Sequence, residues 1–371
     1  VKWTLIASDA ELDSVLATYR DAGAVAVDTE FMRRNTFFPQ VALLQLCFDD
    51  HAFLVDPLAL ESLESLRALF RREEMVKVLH SASEDLEVFD TWLGCLPRPL
   101  FDTQRAAGLL NQGFGLGYRA LVAAHCGVEL DKGETRSDWL QRPLSESQCD
   151  YAAMDVAYLL PVYREQHRAA SASGKLAWIL EDGQVACDGV GAGSSSTHER
   201  IKSAWKLNRR QLAVLKALTD WRESEARQRD KPRSWILSDA ACLDIAQGDV
   251  RDLDALSRVT EVPPGLVKRA GPVLLEAVER ALALPESELP AALPAPLDGP
   301  LRKRLKSLKS RGRDVAAALD AAPEAILPAR DYERLLRESL GQPLSEPPHW
   351  RGWRQDTVIA PLRRFLAETK P

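Results

Sequence analysis

Two interruptions govern how this chain can fold. Residues Gly183 to Thr197, with DGVGAGSSST at their core, are rich in glycine and serine and offer no apolar face, so they read as a flexible linker or surface loop. Farther on, LPESELPAALPAPLDGP sets proline at 285, 290, 294, 296 and 300, which forbids continuous helix and favours a stiff extended connector. The expected order is a domain over 1–175, a linker over 176–199, a domain over 200–283, a connector over 284–297 and a last domain over 298–371. The length of 371 residues agrees, because single cores seldom grow past about 250–300 residues.

The first piece alternates strand-like and helix-like segments. Ala24–Glu30, Val41–Phe48, Ala52–Val55 and Val76–His80 are β-branched or apolar runs, the second and third separated by an Asp49-Asp50-His51 turn. Helical periodicity occupies about 9–21, 61–72, 84–93, 103–111, 118–125 and 145–169. Adjacent hairpins followed by strand–helix alternation predict an α/β domain built on a mixed sheet. The other two pieces read as small all-α domains.

Charge separates the pieces further. Residues 1–170 hold 16 Lys+Arg against 26 Asp+Glu, net −10, while the whole chain is −6, so the remainder carries +4. The basic residues of the remainder are clustered: residues 200–233 hold 11 Lys+Arg against 4 Asp+Glu, and LRKRLKSLKSRGR over 301–313 holds seven basic residues and no acid. Such clusters suit phosphate binding. Six cysteines without a CxxC pair argue against structural zinc or a disulfide framework and for a reducing cytosol. With no apolar run near the ~20 residues of a membrane span and no cleavable leader, a cytoplasmic, non-membrane protein is expected.

The acids of the first domain carry the chemistry. In VAVDTEF, Asp28 and Glu30 stand at i and i+2 of a strand, so both leave one face while Val25, Val27 and Thr29 line the other. Adjacent carboxylates raise each other's pKa unless a cation lies between them. Asp85, in HSASEDLEVF, opens a helix just beyond the fourth strand, and DYAAMDVAYLL puts Tyr151 and Asp155 one turn apart on a helix face. Each feature alone also describes ordinary solvated acids or a complemented helix dipole.

Together, and in this order, they resemble the three motifs of the DEDD superfamily of 3′–5′ exonucleases, tyrosine subclass. VDTEF, HSASEDLEVF, FDTQRAAGLL, GETRSDWLQRPL and YAAMDVAYLL resemble the ribonuclease D family over about residues 1–170. The resemblance implies a ribonuclease H-like fold and two divalent ions, Mg²⁺ or Mn²⁺, held by Asp28, Glu30, Asp85 and Asp155. Asp28 would bridge the ions, Glu30 and Asp155 would complete the shell of the water-activating ion, and Asp85 would support the second, partly through water. Tyr151 would hydrogen-bond the attacking water. Hard carboxylate oxygens suit such ions.

Weaker substrate candidates are Phe31, with Leu121 or Tyr118, as wedges against terminal bases; His80 at a strand end; and Lys132, Arg136 and Arg142 around the SDW segment as phosphate holders. Core packing or a solvated face explains each as well. The second piece, from Ala204, resembles an HRDC domain, a small helical nucleic-acid-binding module, with Arg227, Arg229 and Lys231 as candidate RNA contacts beside Arg233. Trp205, Trp221 and Trp235 are expected in its core, and contact with the nuclease domain is a competing use for its basic face. Residues 298–371 resemble a second, diverged copy. The resemblance implies a 3′–5′ exoribonuclease that trims structured RNA such as tRNA precursors, the helical modules gripping the RNA body; their removal is expected to weaken binding more than chemistry. A DNA exonuclease with the same acids, or a non-catalytic RNA-binding scaffold, are the alternatives.

Overall fold

The computed structural model describes residues 1–131, 137–191, 197–342 and 345–369. The first 190 residues run β1 (Lys2–Ile6), α1 (Asp9–Thr18), β2 (Ala24–Met32), β3 (Gln40–Phe48), β4 (His51–Val55), α2 (Glu64–Arg71), β5 (Val76–Leu79), α3 (Ser83–Leu93), β6 (Leu100–Asp102), α4 (Thr103–Leu109), α5 (Tyr118–Cys126), α6 (Glu146–Ala157), α7 (Leu159–Ala172) and α8 (Leu176–Asp188). Then follow α9 (Arg209–Arg229), α10 (Arg233–Ile236), α11 (Asp239–Gln247), α12 (Leu253–Ser257) and α13 (Pro264–Leu282). The last stretch holds α14 (Gly299–Ala318), α15 (Pro323–Ile326), α16 (Ala329–Ser339) and α17 (Ala360–Glu368).

The strands form one mixed sheet in the order β1-β4-β3-β2-β5-β6. The hairpin partners β2–β3 and β3–β4 are antiparallel, and the β1–β4, β2–β5 and β5–β6 pairs are parallel. Val25, Val27, Leu44 and Leu46 put one face of the sheet into a core shared with Leu12, Leu66, Phe70, Leu86 and Phe89 of α1, α2 and α3. By the two-residue alternation of strands, Ala26, Asp28, Gln45 and Cys47 face the other way, where α6 crosses β1 to β4. Sequence periodicity alone misses β1 and β6, which are short and at the sheet edges.

The helix read continuously over 145–169 is broken at Tyr158. Pro161 cannot donate a backbone hydrogen bond and disfavours helix before it, and the Tyr158 N–H freed at the break donates instead to the Tyr118 hydroxyl at 3.1 Å. That hydroxyl donates in turn to the Met154 carbonyl at 3.0 Å, fixing the end of α6. The other end of α6 is set by a capping box between Ser145 and Gln148.

The expected linker over 176–199 begins too early. Residues 176–188 are the helix α8, which buries Ile179, Asp182, Gly183 and Cys187. Gly183, read as a sign of flexibility, is a close-approach glycine: a Cβ there would collide with the Leu100 carbonyl, so only glycine lets α8 lie against β6.

The chain divides into two compact units whose membership departs from the expected pieces. The first joins Val1–Met32, Gln40–Val190 and Asp298–Pro371, so the last helical stretch is no separate body. Asp182 of α8 accepts from both terminal guanidinium nitrogens of Arg354, the Arg354 Nη2–Oδ2 contact being 2.7 Å, and Arg354 Nε donates to the Ile326 carbonyl at 2.9 Å. Trp178 and Trp353 stack at 4.5 Å, and Lys175 Nζ donates to the Leu109 and Asp320 carbonyls. Arg304 donates to the Leu366 carbonyl at 2.9 Å, tying α14 to α17.

The second unit comprises Gly191–Leu297 and Arg33–Pro39. Leu212, Leu215, Leu218, Ile245 and Leu274 centre its core. The backbone N–H groups of Phe37 and Phe38 donate to Asp230 at 2.9 and 3.0 Å, and the Phe37 ring lies under the guanidinium groups of both Arg227 and Arg233. Of the three tryptophans expected in this core, Trp221 packs against it, whereas Trp205 and Trp235 are 40% and 59% exposed. The short α10 buries Ile236 and has too few turns to bury Trp235 also.

Candidate active site

The strand alternation of β2 delivers Asp28 and Glu30 half-buried on one face, with Val25, Val27 and Thr29 buried on the other. Between Glu30 and Phe31 the pairing with β3 slips by a residue, a bulge of the kind that re-aims side chains beside functional sites. Asp85 enters from the first turn of α3 and is 7% exposed. Thr29 Oγ1 donates to Asp85 Oδ1 at 2.5 Å, so the residue between the two strand acids orients the helix acid.

The entry to α3 is held by Asp102. Its carboxylate accepts the N–H groups of Ser81 and Ala82 at 3.0 Å each and of Gln104 at 2.9 Å, which fixes the turn that launches Asp85 and caps α4. Asp155 and Tyr151 project from α6 one turn apart, and the Tyr151 hydroxyl pulls the Asp155 pKa down. Trp139, 4% exposed, packs its ring 6.0 Å from that of Tyr151.

The four carboxylates share one electrostatic environment. Burial pushes Asp28 well above the usual carboxylate range, and the charges of Asp85, Asp155 and Glu30 push it further. Glu30 rises to about 8 through burial and then through Asp155 and Asp85. Asp85 rises to about 7, burial outweighing the Thr29 hydrogen bond, and Asp155 to about 6, burial outweighing the Tyr151 hydroxyl and the nearby charge of Arg119. Burial and the neighbouring acids also raise Tyr151, so its phenol stays protonated at neutral pH.

Such repulsion is relieved by a cation, and the donors are all hard oxygens, so the set fits divalent ions of the Mg²⁺ or Mn²⁺ type. Among the described residues no group of three or more His, Cys, Asp or Glu side chains already stands at metal-coordinating spacing. The acids thus feel one another's charge without being drawn to a common point.

The weaker candidates separate. Phe31 is half-buried beside Glu30. Leu121 is fully buried with Ala107, Val122 and Val162, which removes it as a wedge against bases, and Tyr118 is committed to the α6–α7 break. His80 Nδ1 lies 2.9 Å from Thr103 Oγ1, its ring rests 5.8 Å from that of Tyr118, and burial lowers its pKa, while its Nε2 has no hydrogen-bond partner among the described residues. Arg142 is no phosphate holder: it clamps Asp56 bidentately at 2.6 and 2.7 Å and donates to the carbonyls of Ala42, Trp139 and Gln141. Lys132 and Arg136 lie outside the described residues. Arg227 and Arg229 pair with Glu223 and Glu225 inside the second unit, and Lys231 Nζ lies 3.5 Å from the Asn35 carbonyl.

Two contributors escape sequence reading. Arg119, exposed at the start of α5, is the cation that pulls Asp155 down. Gln45 stands opposite Asp28 in the β2–β3 register, is fully buried, and has no hydrogen-bond partner for either amide atom among the described residues. A lone amide inside the apolar run VALLQLCF is the signal that marks it.

Residues 4–166 match the family model described as 3′–5′ exonuclease, and residues 211–278 match that of the HRDC domain. The chain is 39% identical to ribonuclease D of Pseudomonas paraeruginosa over 369 residues, 99% of this chain and 97% of that one. It is 36% identical to ribonuclease D of Escherichia coli over 99% of each chain. The crystal structure of Escherichia coli RNase D, an exoribonuclease involved in structured RNA processing, matches over 100% of both chains with a TM-score of 0.90 at 34% identity. Identity along the full length and a common fold together establish that this chain belongs to the ribonuclease D family of 3′–5′ exoribonucleases.

Proposed function

We propose that this chain removes nucleotides one at a time from the 3′ end of structured RNA such as tRNA precursors, using Asp28, Glu30, Asp85 and Asp155 to hold two divalent ions, Mg²⁺ or Mn²⁺. The observation that carries this reading is the upward push on all four acids, from burial throughout and at Asp28 and Glu30 also from the charges of Asp85 and Asp155, which no cation in the described protein offsets beyond the partial pull of Arg119 on Asp155. When bound, such ions supply charge neutralisation, an acidified water and stabilisation of the leaving 3′ oxygen.

The chain's own groups do the rest. The Thr29 hydroxyl and the Asp102-capped turn keep Asp85 in place for its share of the ions. Tyr151 keeps its proton and serves as a hydrogen-bond donor that orients Asp155 and the attacking water, not as the base. Arg119 supplies positive charge beside Asp155 that suits a substrate phosphate.

Residues 298–371 read as a diverged second copy of the helical module. α9, α10 and α11 share with α14, α15 and α16 an order of long, short and medium helices, and each set ends on a proline-containing helix, with Pro272 in α13 and Pro361 in α17; the short α12 is extra to the first set. Six free cysteines and the lack, among the described residues, of any helix fit to cross a membrane favour the cytoplasm.

Matched single-stranded RNA and DNA incubated with Mg²⁺ test the reading. Release of nucleoside 5′-monophosphates from the RNA 3′ end is expected. Faster loss of the DNA would overturn the RNA assignment, and no release from either would leave the scaffold reading.

A further inference from the structure

The two basic runs of this chain have opposite fates. In the HRDC-matched unit seven of the eleven basic residues over 200–233 are paired internally. Arg209 and Arg210 pair with Glu286, Lys216 with Asp220, Arg227 and Arg233 with Glu223, and Arg229 with Glu225. Arg227 and Arg233 also cover Phe37. In α14, by contrast, Arg302, Lys306, Lys309 and Arg313 form no ion pair among the described residues; the one side-chain hydrogen bond among them runs from Arg302 Nε to the Asp298 carbonyl.

Helical geometry aligns those four. At about 100° per residue they fall within roughly 60° of arc, spaced about 6, 4.5 and 6 Å along the axis. Arg302, Lys306 and Arg313 are exposed and Lys309 half-exposed. The helix is anchored elsewhere: Leu308, Gly312, Val315 and Ala316 are buried, a Cβ at Gly312 would collide with the Tyr332 ring, and Arg304 holds α17. Of the nearby acids, Asp298 is the N-cap, accepting the Leu301 N–H, Asp314 points along a different face, and Glu324, which with Arg313 acts on Tyr332, forms no ion pair with the four among the described residues.

We propose that this stripe on α14, and not the HRDC-matched unit, makes the main electrostatic contact with the phosphates of the RNA body. The inference rests on the exoribonuclease reading for the identity of its partner. A row of cations at nearly regular intervals, held on a packed helix and unneutralised, is complementary to a polyphosphate strand and carries no base information, as suits a trimming enzyme indifferent to sequence.

The test compares the intact chain with R302Q/K306Q/K309Q/R313Q and with R227Q/K231Q, binding a hairpin RNA with a short 3′ tail in EDTA between about 50 and 200 mM salt. The stripe variant is expected to lose at least tenfold in affinity and to flatten the slope of log K against log salt by about 3. The R227Q/K231Q variant should flatten it by less than about 1. Unchanged RNA binding by the stripe variant would overturn the proposal and point to an acidic protein as the partner. So would an equal loss of affinity for a trinucleotide, which is too short to span the row. Because EDTA removes hydrolysis from the measurement, a wild-type chain that binds steeply with salt yet releases no nucleotide with Mg²⁺ would count against the exoribonuclease reading and leave the stripe standing.

Discussion

Asp182 and the four acids of the site are buried carboxylates that behave as opposites. Asp182 on α8 is 3% exposed and meets a bidentate Arg354 that is itself 5% exposed, with Trp353 Nε1 donating a further bond at 3.1 Å. Asp28, Glu30, Asp85 and Asp155 are gathered with only Arg119 partly offsetting one of them, and all four are pushed upward in pKa. A fold that needs an acid for stability supplies its partners from within the chain, a cation at Asp182 and backbone N–H groups at Asp102. A fold that leaves acids uncompensated holds them for something that arrives from outside.

Substitutions can break or sharpen that contrast. The largest effect belongs to Asp28→Asn, which should cut Mg²⁺-dependent nucleotide release on the order of 10³-fold, while in EDTA its melting temperature stays level or rises because a like-charge repulsion is gone. A marked drop in melting temperature would make Asp28 structural and erase the contrast. Next, Arg354→Ala should destabilise by about 3–5 kcal/mol, read as a lower urea midpoint, since Asp182 is left charged and unpaired. Replacing both partners with apolar residues of similar volume should restore most of that loss.

A pH series reads the same contrast at smaller scale. The folded chain binds protons at the four acids more tightly than the unfolded chain, whose carboxylates titrate near about 4. Their contribution to stability is therefore present below about pH 4 and is lost as pH rises through about 6, 7 and 8 at Asp155, Asp85 and Glu30. In EDTA the melting temperature should fall from pH 5 to pH 8, and Asp28→Asn should flatten the fall. The smallest effect is expected of Gln45→Leu: metal-free stability unchanged or up by about 1 kcal/mol, since an unbonded buried amide is removed, with nucleotide release down about tenfold. An unaltered rate would deny Gln45 any part in supporting Asp28.

Much of the site was legible because its signals are local. Asp28 and Glu30 follow from strand alternation, and Tyr151 and Asp155 from one helical turn, which need no knowledge of distant contacts. The mixed sheet followed from two hairpins ahead of strand–helix alternation. What failed to show depends on partners far along the chain. Arg142 carries the charge of a phosphate ligand, and only the fold brings Asp56 to it, 86 residues away. Leu121 could be an exposed wedge or a core residue by pattern alone, and Trp235 could be buried. Gly183 looked like slack because a glycine chosen for close packing and one chosen for freedom are the same letter.

The Asp182–Arg354 pair also bears on how this chain can be dissected. Cutting away the final seventy or so residues would remove Arg354 and Trp353 and leave Asp182 without its partners and the indole of Trp178 uncovered. A fragment made that way and found inactive would report a wounded nuclease body, so the division of labour between gripping and cutting has to be probed by surface charge rather than by amputation.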